Sequence, residues 1–110
     1  MILAGDVPLN AKVQLMMASV DGIATGAYEA AKLAIKNRNQ PADLAILVSC
    51  IGRKLVMDQR VEEEIEEVIE VIGQNASVSG FYSYGEMAPY QGERACELHN
   101  QTMTLTLISE

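Results

Sequence analysis

Apolar and polar residues alternate with a period of two in several stretches of the chain, which is typical of strands with one buried face. This alternation predicts a first strand over residues 11–18 and a last strand over residues 100–108. Residues 77–84 (SVSGFYSY) are predicted to form another strand, in which Gly80 permits a close backbone approach. Residues 44–50 (LAILVSC) are almost continuously apolar and predict a strand that is central in the sheet or covered on both faces.

Two other stretches follow the helical period. The first helix is predicted from Asp21, a plausible N-cap, to about residue 37. The second is predicted to start with a cap on Asp58 and to end at Gly73, a residue type favoured just after a helix. Its apolar stripe consists of Val61, Ile65, Val68, Ile69 and Ile72. The glutamates between them are expected to form a solvated polar face, namely Glu62, Glu63, Glu64, Glu66, Glu67 and Glu70.

The element order is therefore β-α-β-α-β-β in a chain of 110 residues, the size of one domain. The predicted fold is α/β (α+β), a single domain with a mixed sheet of roughly four strands. Both helices are expected to pack mainly on one face of this sheet. The last two strands are expected to pair antiparallel across residues 85–98, whose glycines and Pro89 predict a loop.

Charge and cysteine content narrow the class of partner and the compartment. A net charge of −7 repels nucleic acid phosphates and anionic lipids, so neither nucleic acid nor a membrane is expected as a partner. No apolar stretch approaches the ~20 residues of a membrane-spanning helix. Two cysteines are too few for a disulfide framework, so reduced thiols and a cytoplasmic location are expected. Residues 1–3 read like the middle of a strand, which predicts that the chain is a piece of a longer protein.

The end of the strand over residues 77–84 carries one group of candidate ligand-binding residues. They are Ser83, Tyr84, Gly85 and Glu86. Hydroxyl groups, exposed backbone and a carboxylate can converge there on a small polar ligand. In that case Tyr84 stacks on the ligand or donates to it, and Glu86 accepts from an amine. The alternative is a glycine turn in which Tyr82 and Tyr84 cover the edge of the sheet.

Cys50 and Arg53 follow the other central strand, and they face the same ligand if the two strands are neighbours. Arg53 can bind a carboxylate or a phosphate in bidentate fashion. The alternative is a buried cysteine beside a solvated arginine that pairs with Glu86. The sequence contains no recognisable nucleophile–base motif and no phosphate-binding glycine loop, so the chain is not expected to be an enzyme, although thiol chemistry at Cys50 stays open.

His99 is the one histidine, and with Asn100 it completes the candidate ligand-binding set. A neutral imidazole can bind a metal or haem iron, which makes His99 a candidate haem ligand. Two cysteines and one histidine are fewer than the roughly four ligands of a structural zinc site, so no metal is expected. The alternative is that His99, Asn100 and Thr102 make capping and inter-strand hydrogen bonds, and no cofactor is then needed.

Five segments, in order along the chain, resemble the C-terminal domain of FIST proteins (F-box and intracellular signal transduction proteins). They are AGDVP (4–8), LVSCIGRK (47–54), DQRVEEEIEEV (58–68), GFYSYGEMAP (80–89) and CELHNQTMTLTLISE (96–110). The resemblance implies that residues 1–110 are an intracellular sensory domain that binds a small molecule such as an amino acid. It also implies two kinds of partner: an N-terminal FIST domain in the full-length protein, and a histidine kinase or another signalling protein.

Two alternatives to a small-ligand sensor stay open at this point. Some bacterial FIST proteins are haem proteins that respond to nitric oxide, which implies a haem-binding nitric-oxide sensor with His99 as ligand. The other alternative is a protein interaction or dimerisation domain without its own ligand. An exposed first strand can pair edge to edge or swap between copies, which would give a homodimer.

Overall fold

The computed structural model contains both helices and strands, and it describes residues 2–3, 5–89 and 95–110. In chain order the elements of these residues are α1 (Val20–Ile35), β1 (Leu44–Cys50), α2 (Ile51–Met57), a 3-10 helix (Asp58–Arg60), α3 (Glu63–Ile72), β2 (Ser77–Ser83), β3 (Glu86–Pro89), β4 (Cys96–His99) and β5 (Met103–Ile108). The predicted α/β class with a mixed sheet is confirmed, and the differences lie in the number and pairing of the strands.

β1 is the central strand of a three-stranded sheet with the order β2-β1-β5. It runs parallel to β2, with Leu44 opposite Ser77, and antiparallel to β5, with Leu44 opposite Ile108. The expected antiparallel pairing of the last two strands is wrong, because β1 separates β2 from β5. The apolar run of β1 explains this order, since a strand that is apolar on both faces gains most from the most enclosed position.

β3 and β4 form a separate antiparallel pair in the stretch for which the sequence predicts a loop. Glu86 lies opposite His99, and Pro89 lies opposite Cys96 at the end of the pair. Pro89 is tolerated there because a proline at a strand end need not remove a ladder hydrogen bond. Residues 90–94 of the predicted loop lie outside the described residues. The pairing places Glu86 and His99, both candidate ligand-binding residues, side by side.

Residues 11–18 do not form the predicted first strand, since they have no regular secondary structure and are all exposed. The alternating apolar side chains Val13, Leu15 and Met17 are 74 %, 86 % and 99 % exposed. A strand is stable only with hydrogen-bonded neighbours and a covered apolar face. Among the described residues no strand pairs with this segment, so its alternation has nothing to bury against.

The helix ends differ from the predictions at the N-termini and agree at one C-terminus. α1 takes Ser19 rather than Asp21 as its N-cap, because the Ser19 hydroxyl oxygen accepts a 3.1 Å hydrogen bond from the backbone N–H three residues on. Asp58 does not cap α3, because it follows the last residue of α2 and has a φ of 49°. Gly73 ends α3 as predicted, with a φ of 86° that suits glycine.

The core lies between α1, α3 and one face of the three-stranded sheet. Its buried members are Ala27, Ala31, Ala45, Leu47, Val68 and Met103. The two alanines of α1 are fully buried, and their small size lets the helix lie close to the sheet. On the opposite face, Phe81 and Ile108 are 63 % and 45 % exposed. The helices therefore cover one face of the sheet, as predicted. The polar residues on this covered face lie between the sheet and the helices.

Candidate functional site

The carboxyl ends of the parallel strands β1 and β2 lie side by side, with Cys50 opposite Ser83. β5 starts at the same end of the sheet, because Met103 lies opposite Ser49. α2 begins directly after β1, so Arg53 follows this strand end within one helical turn. Ligands of open α/β sheets bind beyond the carboxyl ends of the parallel strands, which makes this edge the candidate site.

Arg53 and Glu64 form a buried ion pair at this edge. Arg53 Nε donates to Glu64 Oε2 at 2.9 Å, and the two residues are 4 % and 0 % exposed. Arg53 Nη2 also donates to the backbone carbonyl oxygen of Ile23 in α1 at 2.8 Å. Solvent screens a pair at this depth poorly, so each charge depends on its partner and on the hydrogen bonds around it.

Glu64 accepts hydrogen bonds from two hydroxyl groups as well as from Arg53. The Tyr82 hydroxyl donates to Oε1 at 2.6 Å, and the Ser49 hydroxyl oxygen lies 3.2 Å from Oε1 and 3.3 Å from Oε2. These contacts join α3 to β1 and β2, and through Arg53 to α1 and α2. We call Ser49, Arg53, Glu64 and Tyr82 the buried network.

The pKa of Tyr82 predicts an alkaline limit to stability. Burial, and after it the hydrogen bond to Glu64, raise this pKa above its ordinary value of about 10. Because the folded-state pKa exceeds the unfolded one, the stabilising contribution is intact below pH ~10 and is lost as the pH rises further. We expect the free energy of unfolding to fall above pH ~10 in the wild type and to fall less steeply in Tyr82→Phe, as measured by urea unfolding at successive pH values.

The matched control for this experiment is Tyr84→Phe, which removes a phenol hydroxyl from a residue that is 91 % exposed. Both substitutions keep the aromatic ring. Tyr82→Phe therefore also keeps the contact in which Lys54 Nζ lies 5.0 Å from the centre of the ring at position 82. Equal alkaline slopes in the wild type and Tyr82→Phe would show that the Tyr82 hydroxyl does not control this limit.

Glu86 is a second buried carboxylate at the same edge, with 2 % exposure. Thr102 Oγ1 donates to Oε2 at 2.5 Å, and Ser83 Oγ lies 3.1 Å from Oε1. The Ser83 hydroxyl has one proton, and the Gly85 carbonyl oxygen at 3.0 Å competes for it. Within residues 2–3, 5–89 and 95–110, no lysine or arginine forms an ion pair with Glu86. Hydroxyl groups rather than a cation therefore satisfy this carboxylate there.

A cleft of about 420 Å³ lies between the start of α1, Arg53 and the turn before β5. Its lining includes Ser19, Gly22, Gly26, Arg53, Gln101 and Thr102. Arg53 Nη1 lies 3.6 Å from the position that a Cβ atom on Gly26 would take. In the described part of the chain this nitrogen has no hydrogen-bond partner, since the contacts of Arg53 use Nε and Nη2. We call this space the Arg53 cleft, and Nη1 is its available charged donor.

One group of candidate residues from the sequence is brought together beside Glu86. Ser83 contacts Glu86 directly, and Glu86 pairs with His99 across β3 and β4. A Cβ atom on Gly85 would lie 3.2 Å from the His99 carbonyl oxygen and 3.4 Å from Asn100 Oδ1. These five residues therefore share one corner of the molecule, and a larger residue at position 85 would crowd it.

The other three candidates differ from this group. Arg53 is neither solvated nor paired with Glu86, because α2 turns it into the interior, where Glu64 is its partner. Cys50 is a free thiol with 4 % exposure. Tyr84 is 91 % exposed and covers no sheet edge, whereas Tyr82 is half-buried in the network.

The solvated face predicted for the glutamates is wrong for Glu64. This residue lies three positions after Val61 and four before Val68, both of which pack into the interior. That spacing places Glu64 on the apolar stripe of the helix, and it is the signal that could have identified it. Ser49 carried a comparable signal as the only hydroxyl residue within the apolar run of β1. Sequence reasoning assigned neither residue to the site.

The surroundings of His99 bear on its candidate role as a haem or metal ligand. His99 Nε2 lies 3.0 Å from the Ala88 carbonyl oxygen, so an iron atom bound at Nε2 would have to displace this contact. In the described ranges, no three His, Cys, Asp or Glu side chains are grouped to hold a metal ion.

Across the same ranges, no helix combines the length and apolar character needed to span a membrane.

Comparison with protein families assigns the larger part of the chain to one family. The model of the FIST C domain family matches residues 1–89. This range contains the buried network and Glu86, while residues 96–110, the last of the resembling segments, lie beyond it. Neither the comparison with curated proteins nor the comparison with solved structures finds a match.

Proposed function

This chain belongs to the FIST C domain family, and we propose that it is a non-enzymatic sensory domain of signal transduction that binds a small zwitterionic metabolite, such as an amino acid, in the Arg53 cleft. The observation that carries the proposal is an arginine that is 4 % exposed and whose Nη1, beside a cleft, has no hydrogen-bond partner among the described residues. A buried charge with an unused donor is a common feature of sites that recognise a charged ligand.

Arg53 supplies the anion-binding side of the cleft. Glu64 and the Ile23 carbonyl oxygen hold its Nε and Nη2, which fixes the guanidinium plane and directs Nη1 to a ligand carboxylate. A donor that is already fixed loses little conformational freedom when the ligand binds. Because one nitrogen is available, we expect a contact through Nη1 alone rather than the bidentate contact that the sequence suggests.

Thr102 supplies an acceptor for the ligand amine. Its hydroxyl proton is donated to Glu86 at 2.5 Å, so the remaining lone pairs of Oγ1 can accept from an ammonium group. Thr102 and Arg53 both line the cleft. The Glu86 carboxylate behind Thr102 adds negative potential that favours a cationic group. A ligand with both a carboxylate and an ammonium group uses both sides of the cleft, whereas a ligand with one of them uses half.

The melting temperature of the 110-residue chain tests this proposal against a panel of compounds. A ligand that binds only the folded state stabilises it by RT ln(1 + [L]/Kd), about 2.7 kcal/mol at a hundred times Kd. We expect at least one amino acid to raise the melting temperature. The matching carboxylic acid without the amine, and the amine without the carboxylate, should each raise it less. If no amino acid shifts the transition, the proposal is rejected, and a shift with haem alone would favour the haem-sensor alternative.

Gly26→Leu is expected to abolish binding of the amino acid found in this way while the domain stays at least as stable. The Cβ atom of the new side chain would lie 3.6 Å from Arg53 Nη1, an ordinary van der Waals distance, and the rest of the side chain would occupy the cleft that Gly26 lines. Leucine is also a better helix former than glycine by about 0.5–1 kcal/mol, which favours α1. Calorimetric titration measures the binding, and urea unfolding measures the stability.

The control is Thr25→Leu, the neighbouring position on α1, which is exposed and does not line the cleft. It adds the same side chain to the same helix and should leave the dissociation constant unchanged. Unchanged binding in Gly26→Leu as well would place the ligand outside the Arg53 cleft.

Partners and location belong to the same proposal. We expect an N-terminal FIST domain and a histidine kinase or another signalling protein to act with this domain. The two cysteines support a reducing, cytoplasmic compartment, since both are free, Cys50 buried and Cys96 exposed.

A further inference from the structure

Residues 12–17 have the apolar–polar alternation of a strand, but they pair with no strand among the described residues. Val13, Leu15 and Met17 fall on one side of an extended chain, and all three are at least 74 % exposed. Contiguous exposed apolar side chains of this size are uncommon on a monomer and mark interaction surfaces. An extended segment of this kind binds most simply by adding to the open edge of a sheet.

β2 provides such an edge. It pairs with β1 on one side, and among the described residues no strand occupies its other side. Five of the seven residues of Ser77–Ser83 are exposed, and none of the seven is a lysine or a proline, the residue types that usually protect an edge. A groove of about 280 Å³ runs between this strand and α3, with Ile65, Val78 and Tyr82 in its wall.

The other edge of the sheet, β5, is less open. Arg38 Nη1 donates to the Leu107 carbonyl oxygen at 3.0 Å, and Arg38 Nη2 donates to the Ser109 hydroxyl at 2.9 Å. An arginine that already uses the backbone of β5 competes with an added strand there. The groove is lined by five residues of β2, from Val78 to Tyr82, but by a single residue of β5, Met103, so β2 is the better acceptor.

We propose that residues 12–17 of one copy add as a strand to β2 of a second copy, with Val13, Leu15 and Met17 directed into the groove beside α3. Charge supports a second copy as the occupant. The chain has a net charge of −7, yet Ser77–Ser83 is uncharged, and the single charge of residues 12–17, Lys12, is opposite to that of the glutamates of α3. Each copy carries both halves of the contact, so the exchange is reciprocal and closes as a twofold dimer.

Analytical ultracentrifugation of the 110-residue chain over about a hundredfold concentration range tests the proposal, together with two matched variants. Leu15→Lys places a charge on the face that enters the groove and should weaken dimerisation roughly tenfold or more. Met16→Lys makes the same type of change at the next position, which is 79 % exposed and would lie on the opposite face of the added strand, and should have little effect. Met17 is left unchanged because it also lines the Arg53 cleft.

A mixing experiment identifies the two surfaces. Val78→Lys disrupts the groove but not the segment, and Ile65→Lys, at a 38 % exposed position on the α3 side of the same groove, replaces it if Val78→Lys fails to fold. A mixture of Leu15→Lys and Val78→Lys copies should form dimers that neither variant forms alone, because one of the two contacts is then intact. A monomer at every concentration, equal effects of Leu15→Lys and Met16→Lys, or no mixed dimer would overturn the proposal. Slow, concentration-independent hydrogen exchange of residues 12–17 would also overturn it, because the strand would then pair within its own copy.

Discussion

Replacing Glu64 by alanine is expected to lower the free energy of unfolding by about 3–5 kcal/mol, because it leaves a buried arginine without its counter-ion. Arg53 is 4 % exposed, and its Nε donates to Glu64 at 2.9 Å. The same substitution removes the acceptor of the Tyr82 and Ser49 hydroxyl groups, which adds the cost of unsatisfied buried donors. Small domains are stable by about 5–15 kcal/mol, so this one change removes a large part of the total. Urea unfolding followed by circular dichroism measures the loss.

The matched control is Glu66→Ala, which makes the same change two positions along α3. Glu66 is exposed and forms no ion pair with any described residue, so its loss should change stability by no more than about 0.5 kcal/mol. Similar effects of the two substitutions would contradict the buried pair. The double variant Arg53→Met/Glu64→Leu tests the cause, because removal of both charges should recover much of the stability lost in Glu64→Ala.

In the proposed function, Arg53 contributes both to the stability of the domain and to ligand recognition. The interactions that hold its guanidinium, through Glu64 and the Ile23 carbonyl oxygen, also direct Nη1 to the cleft. A ligand carboxylate at Nη1 would therefore act on a network that contacts three helices and two strands. In the proposed function, this network is the set of contacts through which a bound ligand would affect the helices and strands around it.

Patterns local to one element were sufficient to predict several elements. The apolar run of Leu44–Cys50 and the alternation before Ile108 identify β1 and β5, because burial of each strand depends on its own side chains. Gly73 ends α3 for a reason that is also local, the positive φ. The order of the strands could not be predicted in the same way, since β2 and β5 are each a plausible neighbour for the other until β1 is placed between them. Residues 11–18 have the alternation of a strand, but pairing depends on a neighbour that the segment itself does not specify.

In the candidate site, too, the residues marked by a local pattern were predictable and their partners in other elements were not. Arg53 and Glu86 were identifiable because each is a charged residue within a few positions of a strand end. Their partners were not, because the pairing of Arg53 depends on the rotation of α3 about its axis. The sequence predicts a helix capped at Asp58, whereas α3 starts at Glu63, and the continuous glutamates hide the one that faces inward. Recognition of the family gave the class of domain, and it did not give these contacts.

Replacing Gly80 by alanine is expected to destabilise the domain by about 3 kcal/mol or more, at the upper end of the cost of overpacking. A Cβ atom at this position would overlap the Leu47 carbonyl oxygen and lie 2.9 Å from the Leu47 carbonyl carbon. These are backbone atoms of the central strand, opposite Gly80 in the parallel register, so relief requires β1 and β2 to move apart. Such a movement would also separate Ser49 from Tyr82, which are neighbours in the same register and both bind Glu64. Thermal and urea unfolding measure the loss.

Gly5→Ala is the control, because the same methyl group at Gly5 meets no atom within 4 Å and requires no positive φ. It should leave the unfolding midpoint unchanged or raise it slightly, since alanine restricts the unfolded chain more than glycine does. A Gly80→Ala domain as stable as Gly5→Ala would mean that the two strands do not approach each other closely at Leu47. A large loss confined to Gly80→Ala would instead establish that glycine is required there by the backbone of the neighbouring strand. Arg53 and Glu86 each follow the carboxyl end of one strand of this pair within three residues.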